Sequence, residues 1–292
     1  MNILTFDTEE WYIEKAFKGD RKEKYKQFDE VLDWILEKLD WYNLKATFFC
    51  VGGLAVYFPD VVKRIVSHGH EIGSHSDQHQ WINKMTQKQF EEDCRRSIGG
   101  LEELIGMKVK SFRAPAFSIG QNNLWAFEVL AKNGIEYDCS VFPTNRDFGG
   151  FPQFRSSVPS IIDYNGIIIK EFPICPAKIM NCSLAFSGGG YFRLIPLMLQ
   201  EKFVRDMDYV MFYFHINDLI EQKIKFMSRS EFEDYFKETG TLKNRVSRYI
   251  KSNIGKGGAK KKLESLFANY QFVNLTLADS MLDWNKQPVV KL

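Results

Sequence analysis

Short apolar runs alternate with longer stretches of helical periodicity along most of this chain. That alternation is typical of successive strand–helix units around a largely parallel sheet. The apolar runs predict strands at residues 2–7, 45–51, 70–74, 110–113, 137–141, 167–173, 210–214 and 272–276. The pattern therefore predicts an α/β fold, either a barrel or a doubly wound sheet.

The segments between these strands repeat apolar residues at spacings of three and four, as helices packed on a sheet do. They predict helices at residues 29–41, 59–68, 87–105 and 122–133. In the first of these, the apolar stripe consists of Val31, Leu32, Ile35, Leu36 and Leu39.

Two segments lack either period. Residues 142–160 are rich in Gly, Pro, Phe and Ser and predict a long loop at the rim of a substrate cleft. Residues 183–193 contain three consecutive glycines and predict a flexible turn before a helix that starts near Leu194.

The chain has 292 residues, of which 45% are hydrophobic and 15% aromatic. That length suits a single (β/α) barrel, since such barrels often run to about 250 residues. The sequence contains no obvious internal repeat or interdomain linker. We therefore expect one domain over residues 1–292, with a C-terminal helical extension from about residue 228.

Charge and cysteine usage narrow the class of protein. The net charge is only +2, so we expect no nucleic-acid partner, although residues 256–262 form a local basic run. The five cysteines are widely spaced and include no CxxC pair, which favours neither a disulfide framework nor a thiolate zinc site. No secretory leader and no apolar run of membrane-spanning length is evident. We expect a cytoplasmic protein without a membrane span, and attachment to a membrane surface through another protein is left open.

Candidate metal ligands lie near two predicted strand ends. His75 and His79 stand four residues apart after one strand, and the first strand offers Asp7 and Glu9, which its period of two places on one side. Imidazole and carboxylate suit Zn²⁺ or a similar ion, and two or three protein ligands with a vacant position indicate a catalytic site. The alternatives are a polar strand cap for the acids and ordinary surface positions for the histidines.

Three more strand ends carry chemical groups. Arg113 can hold a carboxylate in one orientation or form an ordinary salt bridge at the rim. Asp138 is either part of the site or a helix or turn cap. His215 ends an apolar strand, which fits a general acid or base, a third metal ligand or a plain buried histidine.

Taken in order, residues 5–9, 75–79, 113–117, 138–140 and His215 resemble the five motifs of the polysaccharide deacetylase family, also called the NodB-homology or carbohydrate esterase 4 family. The resemblance spans about three quarters of the chain. Residues 188–194 with the basic C-terminal segment are similar to an intracellular, exopolysaccharide-associated branch.

The resemblance implies a distorted (β/α) barrel and a divalent metal, commonly zinc, with cobalt, nickel or manganese as alternatives. It implies hydrolysis of an N-acetyl or O-acetyl group on a sugar or polysaccharide. Carried over by position, the roles are Asp7 as general base, His75 and His79 as metal ligands, Arg113 as the residue orienting Asp7, His215 as general acid, and Asp138 as the group tuning its pKa.

Two departures from the family pattern affect these assignments. The second acid usually follows the first directly, whereas Thr8 stands there, so Glu9 becomes the expected third ligand. Tyr213 replaces a leucine and Phe142 a tryptophan, so the pocket wall is expected to differ. Two alternatives remain, namely an amide hydrolase acting on a small non-sugar substrate and a non-catalytic carbohydrate-binding homologue.

Overall fold

The computed structural model describes residues 1–13, 21–145, 149–179, 182–223, 225–236 and 239–292. The strands in chain order are β1 (Asn2–Thr8), β2 (Thr47–Cys50), β3 (Glu71–Ser74), β4 (Ser111–Phe112), β5 (Tyr137–Asp138), β6 (Ser160–Tyr164), β7 (Ile167–Glu171), β8 (Ala177–Ile179), β9 (Cys182–Leu184), β10 (Val210–His215) and β11 (Val289–Lys291). The helices are α1 (Glu10–Ile13), α2 (Arg21–Trp41), α3 (Gly53–Tyr57), α4 (Pro59–Ser67), α5 (Gln87–Ile105), α6 (Trp125–Lys132), α7 (Gly189–Leu194), α8 (Leu197–Asp206), α9 (Arg229–Phe236), α10 (Leu242–Asn253), α11 (Ala259–Asn269) and α12 (Leu275–Met281).

Nine strands form one sheet in the order β10-β1-β2-β3-β4-β5-β7-β6-β11, while β8 and β9 form a separate hairpin. The strands from β10 to β7 in this order run parallel, and β6 pairs antiparallel with β7. The predicted parallel α/β core is confirmed. Among the described residues no backbone pairing joins β10 to β11, so hydrogen bonds do not close the sheet into a full barrel.

The core lies on both sides of β1, because this strand is flanked by β10 and β2 and covered by helices on its faces. Its residues from Ile3 to Thr8 are all buried, including the polar Thr5, Asp7 and Thr8, as in a strand that is covered on both faces. The Phe6 ring stacks on Phe48 with centroids 4.9 Å apart and contacts Phe214 at 5.9 Å. This packing fixes the carboxyl ends of three neighbouring strands relative to one another.

Helix α5 shows how local sequence sets an element's ends. Thr86 and Gln89 form a reciprocal capping box at its start. Its end is marked by Gly106, whose φ of 71° is the left-handed conformation that glycine adopts without steric cost. The predicted bounds, 87–105, are confirmed.

Each predicted strand except the last has a counterpart in the sheet. The strand predicted at 272–276 is wrong, because only Val273 makes a β-bridge, to Ile3, and helix α12 begins at Leu275. The Asn274 side chain accepts a hydrogen bond from the Leu277 amide and thereby caps that helix.

Elements also appear where loops were predicted. Strand β6 begins at the end of the predicted loop and joins β7 through Asn165 and Gly166, which both have positive φ, as a two-residue hairpin turn requires. The helix predicted to start near Leu194 instead begins at Gly189, and a second helix follows from Leu197.

Helices α9 to α12 make up most of the chain after residue 228. Lys38 of α2 pairs with Glu264 of α11, and the Leu275 amide of α12 donates to Thr47 Oγ1 at 3.0 Å, so α11 and α12 contact the α/β core directly. The last strand, β11, joins the main sheet. In the part of the chain that the structure describes, no helix combines the length and apolarity needed to cross a membrane.

Gly188 lies directly against strand β10. A Cβ atom there would sit 2.2 Å from the Tyr213 carbonyl oxygen, so Gly188→Ala forces α7 away from the sheet. We expect a loss of about 1–3 kcal/mol in the free energy of unfolding, measured by urea denaturation. Gly99→Ala is the matched control: nothing lies within 4 Å of a Cβ at this helical site, so a gain of about 0.5–1 kcal/mol is expected. Equal stability of the two variants would contradict the close approach.

Candidate metal centre

The candidate site lies at the carboxyl edge of the parallel strands. Asp7 and His215 are register partners on neighbouring strands β1 and β10. The His75 amide donates to the Cys50 carbonyl at 2.9 Å, and the Arg113 amide donates to the Ser74 carbonyl at 2.9 Å. Ladder pairing therefore brings residues far apart in sequence to a single edge.

Glu9, His75 and His79 meet there. Glu9 Oε2 lies 3.2 Å from His75 Nε2 and 2.5 Å from His79 Nε2. One ligand atom from each residue lies within 4.8 Å of the other two. Thr8, where the family pattern has an acid, is buried and lies next to Asp7 on strand β1, so its side chain points to the opposite face of the sheet from Asp7. The carboxylate that reaches both imidazoles belongs to Glu9.

The hydrogen bond of the other ring nitrogen of His75, Nδ1, tests whether Glu9, His75 and His79 fit a cation. His75 Nδ1 lies 2.7 Å from the Arg113 carbonyl oxygen, and since a carbonyl only accepts, Nδ1 must carry the proton. In a neutral ring Nε2 is then a bare lone pair that faces a carboxylate oxygen. Two acceptors at this separation repel unless the ring is protonated or a cation lies between them. The donor set therefore fits a metal ion, in the manner of other metal-ligating histidines.

Burial and charge act in opposite directions on Glu9. Burial raises its pKa. The positive charges that His79 and His215 carry when protonated lower the pKa by more than burial raises it, so the pKa of Glu9 lies well below its usual value. Glu9 is accordingly ionised, which is the form a metal requires. The pKa of the neighbouring Glu10 shifts in the opposite direction, because burial and the charge of Glu9 raise it to about 8.

The loop between the two histidines is held by Asp93, a residue the sequence analysis missed. Its carboxylate accepts hydrogen bonds from the Asp77 amide at 3.0 Å and from Ser76 Oγ at 3.1 Å. Ser76 and His79 both adopt left-handed φ angles, of 67° and 55°, which non-glycine residues rarely do. The only sequence signal was an acid on the buried face of a predicted helix.

Asp7 is fixed by a buried ion pair. Arg113 Nη1 donates to Asp7 Oδ1 at 2.8 Å and lies 2.7 Å from Thr5 Oγ1, while its guanidinium stacks on Phe49 at 4.3 Å. Both side chains of the pair are almost wholly buried. Burial lowers the pKa of Arg113, but the charge of Asp7 outweighs it and the pKa is raised. The structure thus places Arg113 where the sequence analysis expected it, on Asp7.

His215 belongs to a second network of ionisable side chains. Its Nε2 lies 3.9 Å from Asp7 Oδ2 and 3.7 Å from Glu9 Oε1, and its Nδ1 lies 3.2 Å from Asp218 Oδ2. Asp218 in turn pairs with Arg193. Burial lowers the pKa of His215, but the bond to Asp218 and the nearby carboxylates hold it well above its usual value.

Asp138 does not contact His215. Its carboxylate accepts from Ser140 Oγ at 2.6 Å and from the Ser140 amide at 3.2 Å, and it shares a hydrogen bond with Glu171. Burial raises the pKa of Asp138, and burial together with the charge of Asp138 raises that of Glu171 well above its usual value. The resemblance gave Asp138 the role of tuning the pKa of His215, whereas the carboxylate that contacts His215 Nδ1 in the structure is that of Asp218. Only its spacing, three residues after the histidine, could have indicated this.

The two aromatic departures from the family pattern, Phe142 and Tyr213, pack on the same phenylalanine. Phe117 packs edge-to-face on Phe142 and on Tyr213, with centroids 5.3 Å apart in both pairs. The predicted rim loop, of which residues 146–148 lie outside the described part, packs on the same segment, since the Gly150 amide donates to the Phe117 carbonyl at 2.8 Å. Substituted aromatic positions therefore form one buried cluster.

The first half of this architecture matches a known family. Residues 3–137, which contain Asp7, the three clustered ligands and Arg113, match the model described as polysaccharide deacetylase. The chain therefore contains a polysaccharide deacetylase family domain at residues 3–137. The narrower assignment to an exopolysaccharide-associated branch stays a prediction.

The segment that follows the deacetylase domain matches a different model. Residues 139–278 match a domain of unknown function, DUF3473. His215, Asp218 and Arg193 all lie in this segment, whereas the clustered ligands lie in the first. The candidate site is therefore assembled from both matched segments.

Curated relatives match part of the chain. A peptidoglycan-N-acetylglucosamine deacetylase from Bacillus cereus is 39% identical over 95 residues, which is 32% of this chain and 34% of the relative. A peptidoglycan deacetylase from Helicobacter pylori is 31% identical over 136 residues, which is 45% of this chain and 43% of the relative. The chain thus matches less than half the length of either protein.

Solved structures match the whole chain. A Mycobacterium smegmatis protein described as a polysaccharide deacetylase has a TM-score of 0.67 at 17% identity, covering 100% of this chain and 92% of that one. Puue allantoinase has a TM-score of 0.56 at 15% identity, covering 93% and 86%. Likeness at these identities concerns the fold alone, and it confirms the expected α/β fold of the deacetylase type.

Removing the cation of the buried pair tests the geometry around Asp7. Arg113→Met leaves a buried carboxylate without a partner, so we expect a loss of about 3–5 kcal/mol in unfolding free energy. The double variant Arg113→Met/Asp7→Asn should be destabilised less than the sum of its parts, by about 0.5–3 kcal/mol. Lys110→Met, which breaks the half-exposed pair with Glu136, is the control and should cost less than about 1 kcal/mol. Strict additivity in urea denaturation would refute the coupling.

Proposed function

We propose that this protein is a metal-dependent hydrolase that removes an N-acetyl group from a sugar or polysaccharide. The observation that carries the proposal is the His75 tautomer, which turns a bare imidazole nitrogen toward the Glu9 carboxylate beside His79. The polysaccharide deacetylase domain at residues 3–137 supports the acetylated-sugar class. The name of the Bacillus cereus relative, a peptidoglycan-N-acetylglucosamine deacetylase, supports the N-acetyl group.

Glu9, His75 and His79 would hold a divalent cation, for which zinc is the first expectation and cobalt, nickel and manganese are alternatives. Such an ion supplies Lewis acidity, which lowers the pKa of water and polarises the acetyl carbonyl. Two imidazoles and one carboxylate leave coordination positions open, as catalytic zinc sites do.

Asp7 removes the proton from the attacking water in this proposal. Its Oδ1 is bonded to Arg113, so the orientation of the carboxylate is fixed, and Oδ2 faces the space in front of His215. The buried guanidinium fixes the position of the Asp7 carboxylate, and an ionised carboxylate is the form that can accept a proton. Arg113 is therefore a positioning residue.

His215 protonates the departing amine. An amine leaves poorly without a proton, and the bond between Nδ1 and Asp218 directs the other nitrogen, Nε2, toward the cleft. The Asp218–Arg193 pair holds the ring in this orientation. Proton donor and proton acceptor thus face each other across 3.9 Å, between His215 Nε2 and Asp7 Oδ2.

Metal removal tests the proposal directly. Chelator-treated protein should release no acetate from N-acetylated glycan oligomers above background, and added zinc or cobalt should restore release. Purified protein should hold about one metal ion per chain by elemental analysis, and Glu9→Gln or His79→Gln should lose it. His68→Gln, a half-exposed histidine outside the cluster, should retain metal.

Substrate panels separate the alternatives. Hydrolysis of a ureide with no acetate release would favour the small-amide hydrolase, and metal binding with neither product would favour a non-catalytic carbohydrate-binding protein. Either outcome would overturn the deacetylase proposal.

Substitutions at His215 and its partner test the general acid. His215→Ala should lower turnover of acetate release by about 10²–10⁴-fold while the metal stays bound. Asp218→Asn should lower turnover by about 10–100-fold. Asp138→Asn, which changes a carboxylate bonded to Ser140 and Glu171, should leave turnover closer to wild type than Asp218→Asn does. Unchanged turnover in His215→Ala would exclude the role.

A further inference from the structure

Helix α10 presents its apolar side to solvent and its polar side to the protein. None of its residues is buried. Its exposed residues include an apolar stripe one turn apart, in which Leu242 is 66% exposed, Val246 39% and Ile250 50%. Its half-buried positions are all polar: Asn244, Arg245, Arg248, Ser252 and Asn253. A helix that only covered a core would have the reverse arrangement.

The stripe extends beyond the helix. Ile254 follows at the same spacing and is exposed, and Tyr249 packs on the exposed Phe226 ring with centroids 5.5 Å apart. The exposed Lys243 and Lys251 flank the stripe. The result is a shallow apolar surface along one helix, bordered by positive charge.

The charge around this helix is one-sided. Residues 242–262 contain eight Lys or Arg and no Asp or Glu, although the whole chain has a net charge of only +2. Exposed lysines continue past the helix at Lys261. A second copy docked through this face would place two basic surfaces against each other, which repel. An anionic surface complements it.

This helix is also joined to the candidate site. Arg193 Nη2 donates to the Lys251 carbonyl at 2.7 Å and Nε donates to the Ile254 carbonyl at 3.3 Å, while Nη1 pairs with Asp218. Asp218 contacts His215. The end of α10 is therefore one arginine side chain away from the acid that holds the candidate catalytic histidine.

We propose that α10 docks this protein onto a lipid bilayer that carries anionic headgroups. The stripe Leu242, Val246 and Ile250 enters the boundary between headgroups and acyl chains, and the lysines beside it contact lipid phosphates. An interfacial helix of this kind has a basic polar face and an apolar face parallel to the membrane plane. Because Arg193 joins α10 to Asp218, docking would bring the site close to saccharides held at the membrane surface.

Vesicle co-sedimentation of the full chain tests this inference. The protein should sediment with vesicles of phosphatidylcholine and phosphatidylglycerol at 70:30, and only weakly with phosphatidylcholine alone. Raising the salt from about 0.1 to 1 M shortens the screening length and should weaken the binding. Val246→Ser/Ile250→Ser should reduce partitioning by about tenfold or more, and Lys243→Ser/Lys251→Ser by about thirtyfold.

The matched control is Leu277→Ser/Met281→Ser on α12. These residues are also one turn apart and are 45% and 59% exposed, but helix α12 contains no Lys or Arg beside them. This variant should bind vesicles like wild type. All three variants should keep their bound metal and their acetate release from soluble oligomers, which separates failure of docking from failure of the proposed activity.

Three outcomes would overturn the inference. The first is equal sedimentation with neutral and anionic vesicles, or none with either. The second is unchanged binding by Val246→Ser/Ile250→Ser when its circular dichroism and melting temperature match wild type. The third is a dimer in analytical ultracentrifugation that the same substitutions dissociate, which would assign the stripe to a second copy.

Discussion

The hydrogen bond from His75 Nδ1 to the Arg113 carbonyl is the interaction on which the candidate site depends. It fixes a proton on Nδ1, so that Nε2 of the neutral ring presents a lone pair to Glu9. The carbonyl is available because β3 and β4 are adjacent and parallel, which places the residues just beyond Ser74 and Phe112 side by side. Sheet topology thus determines the ligand chemistry of one imidazole.

Two buried ion pairs orient the groups on either side of that centre. Arg113 fixes Asp7, and Arg193 fixes Asp218, which in turn contacts His215. Such pairs add little net stability once desolvation is counted, but they hold charges in one geometry. The first pair lies in the segment matching polysaccharide deacetylases and the second in the segment of unknown function. We infer that the second segment is part of the site, because it contributes His215 and the residues that orient it.

The features that could be predicted from the sequence are those that follow from apolar periodicity and from polar residues at strand ends. The parallel strands and the meeting of Glu9 with His75 and His79 follow from buried apolar runs that end at one edge of a sheet. Asp218 and Asp93 were missed because their partners are set by tertiary contacts. The strand prediction at residues 272–276 is wrong because the side chain of Asn274 caps a helix that begins at Leu275, and apolar periodicity does not show such a cap.

X-ray absorption at the zinc edge of the zinc-loaded protein tests the central claim most directly. The account predicts two imidazole nitrogens and oxygen ligands at about 2.0–2.2 Å, with no sulfur in the coordination sphere. It further predicts that the spectrum of Glu9→Gln loses this signature. A sphere with fewer than two imidazoles, or one containing sulfur, would contradict it.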